Sequence, residues 1–117
     1  LAHARITSLS APGTLTPGAA FTATLHPTGY IQTVQDISVA FGLAPWPGYP
    51  NSLGRTTVES VYLGPSKSNV LEDINVTMTA PQQLGAGEKM LFSAAVFSLY
   101  GALGMPVVEV FNVSVVV

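Results

Sequence analysis

The chain has 117 residues, a net charge of −2 and no cysteine. Disulfide frameworks, thiolate metal sites and cysteine nucleophiles are excluded at once. Only 9% of residues are charged, against about 25% in an ordinary domain, so no basic stripe exists to meet a phosphate backbone and nucleic acid is not an expected partner.

The length predicts one domain over 1–117, large enough to bury a core without staples. Residues 1–3 read as a signal-peptide remnant or an expression scar, because no apolar h-region precedes them. Strands are expected at 4–10, 20–26, 34–43, 56–63, 73–79, 90–99 and 107–117, separated by Pro/Gly turns such as Pro12-Gly13, Pro17-Gly18, Gly64-Pro65 and Gly104 to Pro106. Period-two alternation carries the assignment. Phe21, Ala23 and Leu25 alternate with Thr22, Thr24 and His26, and Ile74, Val76 and Met78 alternate with Asn75, Thr77 and Thr79. Ile37, Val39 and Phe41 are placed on one face of their strand, opposite Ser38, Ala40 and Gly42. Glu109 shares the apolar parity of Phe111, so the last strand is expected to begin after it or to bulge there. The pattern predicts an all-β, immunoglobulin-like or fibronectin-III-like sandwich of about seven antiparallel strands without a disulfide. LTPGAAFTATL and LGAGEKMLFSAAV are read as equivalent corners of its two sheets. No apolar run reaches the roughly 18 residues of a spanning helix, so no membrane insertion is expected.

Catalytic motifs are absent. Gly85 to Lys89 superficially resembles a phosphate loop, but it lacks the Ser/Thr after Lys and precedes a strand, so a hairpin turn is expected. His26 falls on the polar parity of its strand and reads as solvated. His3 would join a square-planar copper or nickel chelate if Leu1 were the true amino terminus. Processing to His3 would instead open a histidine brace with His26. The expectation is nevertheless no metal and no cofactor. Glu72 and Asp73 point to opposite faces of an extended segment and read as solvated loop acids, with Asp36 as their one conceivable cross-strand partner.

The loop APWPGYPNSLG is less generic. Trp46 and Tyr49 sit on a proline-restricted backbone, which lowers the ordering cost of binding, and both residue types are typical interface anchors. The competing reading folds Trp46 over the open end of the sandwich as a plug. The candidate partner-binding set is Trp46, Tyr49, Asn51, Arg55, Tyr62 and Lys67, with Arg55 and Lys67 framing one end of the domain. Tyr30 and Tyr100 are expected to pack rather than bind. Two sequons, at Asn75 and Asn112, place the Asn on the polar parity of a strand, which fits a secreted chain.

The phrases YIQTVQDISVAFG, PGYPNSLG, YLGPSKSN and FSLYGALG, with ARITSLSAPGTLTPG before them, resemble the fungal necrosis-inducing secreted proteins, a family of small effectors. The resemblance covers nearly the whole chain. It implies a secreted, non-enzymatic protein that suppresses plant pattern-triggered immunity by binding receptor-like and receptor-like cytoplasmic kinases, and that can elicit host cell death. It also implies action at the plasma membrane or after translocation into host cytoplasm; the chain is expected to work as a monomer. The alternative is a carbohydrate-binding module presenting Trp46 and Tyr49 to cell-wall sugars.

Overall fold

The computed structural model describes residues 3–117, with Thr56 described by its backbone alone. Seven strands form two sheets: β1 (Ala4–Ser10), β2 (Ala20–Gly29), β3 (Val34–Pro45), β4 (Thr56–Tyr62), β5 (Ile74–Thr79), β6 (Lys89–Tyr100) and β7 (Met105–Val116). The order is β1-β2-β5 in one sheet and β4-β3-β6-β7 in the other, with every pairing antiparallel. This is the sandwich that the alternation predicts. Among the described residues the one helical element is a short 3₁₀ turn at Pro65–Lys67, and no helix is long and apolar enough to cross a membrane.

The core lies between the sheets. Phe21, Ala23 and Leu25 of β2 and Ile74, Val76 and Met78 of β5 meet Val39 and Phe41 of β3 and Phe92, Ala94 and Val96 of β6. Phe92 stacks on Phe41 with ring centroids 5.6 Å apart and meets Phe21 edge-on at 5.5 Å, the two geometries that aromatic quadrupoles favour. Phe21 and Phe92, the first aromatics after the two glycine turns, thus lie on opposite sheets and meet across the core.

β2 runs through Pro27, which a central strand would exclude. β5 pairs only with Ala20 to Leu25, so at Pro27 the strand is already a local edge and the missing N–H leaves no ladder bond unmade.

Two bulges decide which residues face inward. In β1 the register slips between Ile6 and Ser8. Ile6 and Leu9 are both buried as a result, and Ser8 and Ser10 both point to solvent. In β3 it slips between Asp36 and Ser38. Asp36, only 3% exposed, therefore takes the inward position, and Ile37 is displaced to a half-buried site, contrary to the parity expected for it. Glu109 also departs from expectation. β7 pairs with β6 without interruption from Met105 to Val116, and Glu109 keeps its inward parity by accepting a 2.8 Å hydrogen bond from the Tyr100 hydroxyl.

Candidate functional site

The most unusual surface is the outer face of the four-stranded sheet. Along β6 and β7 the outward residues include Ala95, Phe97, Val108 and Val110, with Ala95 opposite Val110 and Phe97 opposite Val108. On β3 the same two rows continue through Ala40 and Ser38, and on β4 they reach Ser60 and Tyr62. This face is thus apolar where an antiparallel sheet facing water should be polar.

The loop Trp46–Arg55 lies on one half of it, and two glycines let it come close. A Cβ on Gly42 would meet Leu53 Cβ at 2.5 Å and the Leu53 carbonyl oxygen at 2.7 Å, so the loop rests directly on β3. Gly54, at φ 141°, is equally closed: a Cβ there would collide with the Leu43 carbonyl oxygen. Ser93 and Gly42, which pair across β3 and β6, are buried beneath the loop although their parity is outward. The loop leaves a groove of about 560 Å³ between its own wall and the sheet, lined by Tyr49, Asn51, Ser52, Leu53, Ala95 and Val110. A second hollow of about 370 Å³ opens at the adjoining end of the sandwich, floored by Leu43, Leu84 and Met90 and flanked by Arg55 and Glu88.

Trp46 does not plug the core. It is 48% exposed, its backbone N–H donates to the Lys89 backbone carbonyl at 3.2 Å, and Lys89 Nζ sits 3.9 Å from its ring centroid. Its peptide bond to Pro47 is cis, and Asn51 is held at a positive φ of 60°. Tyr49 is tied at its hydroxyl by Arg55 Nε, 2.9 Å away. Lys89 therefore covers one face of Trp46.

The predicted binding residues do not all converge. Trp46, Tyr49, Asn51 and Arg55 cluster on the loop. Tyr62 pairs with Ser38 at the opposite end of the sheet, and Lys67 follows it on the 3₁₀ turn. Arg55 and Lys67 thus frame opposite ends, because β4 carries the chain the length of the sheet between them. The exposed strip beside the loop was missed in the sequence: Val108 and Val110, 66% and 53% exposed, lie on the β7 edge, and their rows cross the sheet through Phe97 and Ser38 to Tyr62 and through Ala95 and Ala40 to Ser60. Their signal was legible as the loss of alternation in VVEVFNVSVVV.

YLGPSKSN has a structural duty at its end. Ser68 Oγ accepts the Asp36 N–H at 2.7 Å, and Asn69 Oδ1 accepts the Ala4 N–H at 3.0 Å. Ser98 donates to Asp36 Oδ1 at 2.6 Å. Burial pushes the Asp36 carboxyl above its usual range, the bonds from Ser98 and the Asn69 backbone pulling the other way. Tyr30 and Tyr100 pack edge-on at 5.5 Å, with Arg5 over the Tyr30 ring. Burial and its bond to Glu109 raise the Tyr100 hydroxyl to about 12.

On the other sheet His26 is not simply solvated. It faces Ser10 and Asp73, with Ser10 Oγ 2.8 Å from Nε2 and Asp73 Oδ1 3.0 Å from Nδ1. His3 is elsewhere, its Nδ1 2.8 Å from the Thr33 hydroxyl, so no brace with His26 is formed. Leu1 and Ala2, which the copper chelate and the processing reading need, lie outside the described residues. Among the described residues no group of three or more His, Cys, Asp and Glu side chains has metal-binding geometry. Asn75 and Asn112 both stand exposed on outward positions.

Comparison with known proteins decides the family, because residues 2–116 match the Nis1 family. The chain belongs to the Nis1 family. It is 45% identical over 116 residues to necrosis-inducing secreted protein 1 of Colletotrichum orbiculare, covering 98% of this chain and 70% of that protein. It is 42% identical over 118 residues to the protein of the same name from Colletotrichum higginsianum, covering 100% of this chain and 81% of that one. The resemblance carried by YIQTVQDISVAFG and its companion phrases is thereby established for essentially the whole sandwich.

Proposed function

We propose that this Nis1 domain is a secreted fungal effector that suppresses plant pattern-triggered immunity by binding receptor-associated kinases, and that it elicits host cell death as the names of its relatives describe. The carrying observation is the apolar outer face of the four-stranded sheet, where a groove runs between Tyr49 and Leu53 on one side and Ala95 and Val110 on the other. An apolar patch bordered by a stiff aromatic loop is what a protein partner recognises. The flanking charges are few, so affinity there comes from desolvated apolar contact rather than from ion pairing. Secretion accords with the names of both relatives. Entry into host cytoplasm is part of the proposal, since the kinase domains lie there.

The test is co-precipitation of the domain with cytoplasmic domains of plant receptor-like kinases and with receptor-like cytoplasmic kinases, wild type beside a Trp46→Ala/Tyr49→Ala double variant. Capture by the wild type alone supports both the activity and the site. Equal capture by both keeps the activity and removes the loop from the interface. No capture of any kinase, together with an unaltered oxidative burst in expressing leaves, overturns the reading.

A further inference from the structure

We propose that Ser10, His26 and Asp73 form a working nucleophile on the outer face of the three-stranded sheet, able to take an acyl or phosphonyl group from an activated donor. The three come from separate stretches of chain. Ser10 ends β1, His26 lies in β2 opposite Ser8, and Asp73 immediately precedes β5, one position beyond the Leu25–Ile74 pair. The bulge between Ile6 and Ser8 is what turns Ser10 outward and brings it diagonally across to His26; bulges re-aim side chains in this way.

The bonding fixes the proton. A carboxylate only accepts, so in a neutral imidazole the 3.0 Å contact to half-exposed Asp73 places the ring proton on Nδ1. Nε2 is then left with its lone pair toward the Ser10 hydroxyl 2.8 Å away. Those are the roles a serine nucleophile requires: a base in hydrogen-bond reach, itself oriented by a third group. The His26 backbone is held as well, its carbonyl accepting from the Thr7 hydroxyl at 3.1 Å. In the next row Thr24 donates to Asn75 Oδ1 at 2.8 Å, which leaves the Asn75 amide nitrogen as a free donor on the same face.

In the reaction, Ser10 Oγ attacks the carbonyl carbon of an activated ester while its proton passes to His26 Nε2. The imidazolium protonates the departing oxygen, and the acyl group stays on Ser10 as an ester. Water, deprotonated by the same nitrogen, then attacks the ester carbonyl; the bond to Ser10 Oγ breaks, the imidazolium returns its proton to Oγ, and the acid leaves. Neither of the two hollows reaches Ser10, and the site on its open sheet face is suited to small donors that carry their own activation. Ser10 is the nucleophile, His26 the base, and Asp73 a positioning residue.

The test uses the full chain produced without glycans, because the Asn75 sequon lies beside the site. It is treated with a fluorophosphonate, which loses fluoride to a reactive serine, and the modified residue is identified by mass spectrometry. Ser8, outward on the same strand two residues away, is the internal control. Ser10 should be labelled at least about 100-fold faster than Ser8, the scale on which a positioned base acts. Ser10→Ala should abolish the fast label and the hydrolysis of p-nitrophenyl acetate above background. His26→Ala should slow Ser10 to the Ser8 rate, and added imidazole should restore it. Asp73→Asn should slow it by about tenfold or more through the wrong tautomer, with circular dichroism and melting temperature unchanged. Labelling of Ser10 no faster than Ser8, or fast labelling that survives His26→Ala, overturns the proposal. The kinase-binding reading is untouched by either result, since it concerns the other sheet.

Discussion

The outer faces of the two sheets obey opposite rules. On the three-stranded sheet the outward side chains include Ser8, Ser10, Thr22, Thr24, His26, Asn75 and Thr77, and several bond across the strands, as Thr22 does to Thr77 at 3.0 Å and Thr24 to Asn75 at 2.8 Å. On the four-stranded sheet the outward positions include Ala40, Gly42, Ala95, Phe97, Val108 and Val110, with the polar Ser38, Ser60, Ser93 and Asn112 interspersed. Strict alternation is what a sheet against water needs. Where alternation fails on an otherwise regular strand, something else lies on the face. Here the Trp46–Arg55 loop covers one half of it, and the other half stays open.

The contrast is broken most severely at Gly54. Its φ of 141° is in the region that favours glycine, and a Cβ there meets the Leu43 carbonyl. Gly54→Ala should destabilise the domain by about 1–3 kcal/mol through backbone strain and overpacking and should lift the loop from β3. Chemical denaturation measures the first effect and Trp46 fluorescence the second. An unchanged emission spectrum would mean that the loop holds its place without close approach. Next in size is Val110→Asp, which puts a charge on the floor of the groove. Kinase capture should weaken at least tenfold, about 1.4 kcal/mol, with little change in melting temperature because Val110 is already half exposed. Binding that survives this charge would move the interface off the apolar face.

Much of the fold was legible because it rests on alternation, and both faces of β2 and β5 could be read residue by residue. What stayed hidden depends on register. A single bulge exchanges the faces of every residue beyond it, and nothing in VQDISV announces that Asp36 goes in and Ile37 aside. The bulge in β1 likewise hides that Ser10 reaches His26, since the two are diagonal neighbours from different strands. Glu109 looked like a strand breaker, because its partner, the Tyr100 hydroxyl, comes from a neighbouring strand. Of the binding site, the stiff aromatic loop was visible in its prolines and glycines. The apolar strip at Val108 and Val110 shows in the sequence only as a loss of alternation, which gives neither valine a face.

The interior supplies a subtler test, one that separates core chemistry from both surfaces. Asp36 is held by Ser68 and Ser98 in a buried position, and burial raises its pKa from 3.8. A raised folded-state value means that the native protein binds this proton more tightly than the unfolded chain does. The group's contribution to stability is therefore complete below the unfolded pKa and is lost as pH climbs through the raised folded one. Melting temperature should fall over that interval, and Asp36→Asn, which keeps an acceptor for the Ser98 hydroxyl, should flatten the slope. A slope that persists in the variant would assign it to another carboxylate.

The smallest effect is expected on the polar face. Thr22→Ala removes one hydroxyl from the exposed Thr22–Thr77 pair, and neither group is left buried without a partner, since water replaces the lost bond. The change in stability should stay within about 0.5 kcal/mol, as for surface substitutions that touch no cap, cavity or buried charge. A larger loss would mean that the hydroxyl ladder acts as a unit, with Thr22–Thr77 supporting Thr24–Asn75 and, through that row, the surroundings of Ser10. In that case Thr22→Ala should also slow Ser10 labelling, although no atom of Thr22 is bonded to Ser10, His26 or Asp73. Thr22→Ser, which keeps the hydroxyl and removes only the methyl, separates these outcomes: it should restore both stability and labelling if the ladder is cooperative, and neither property should move if the rows are independent.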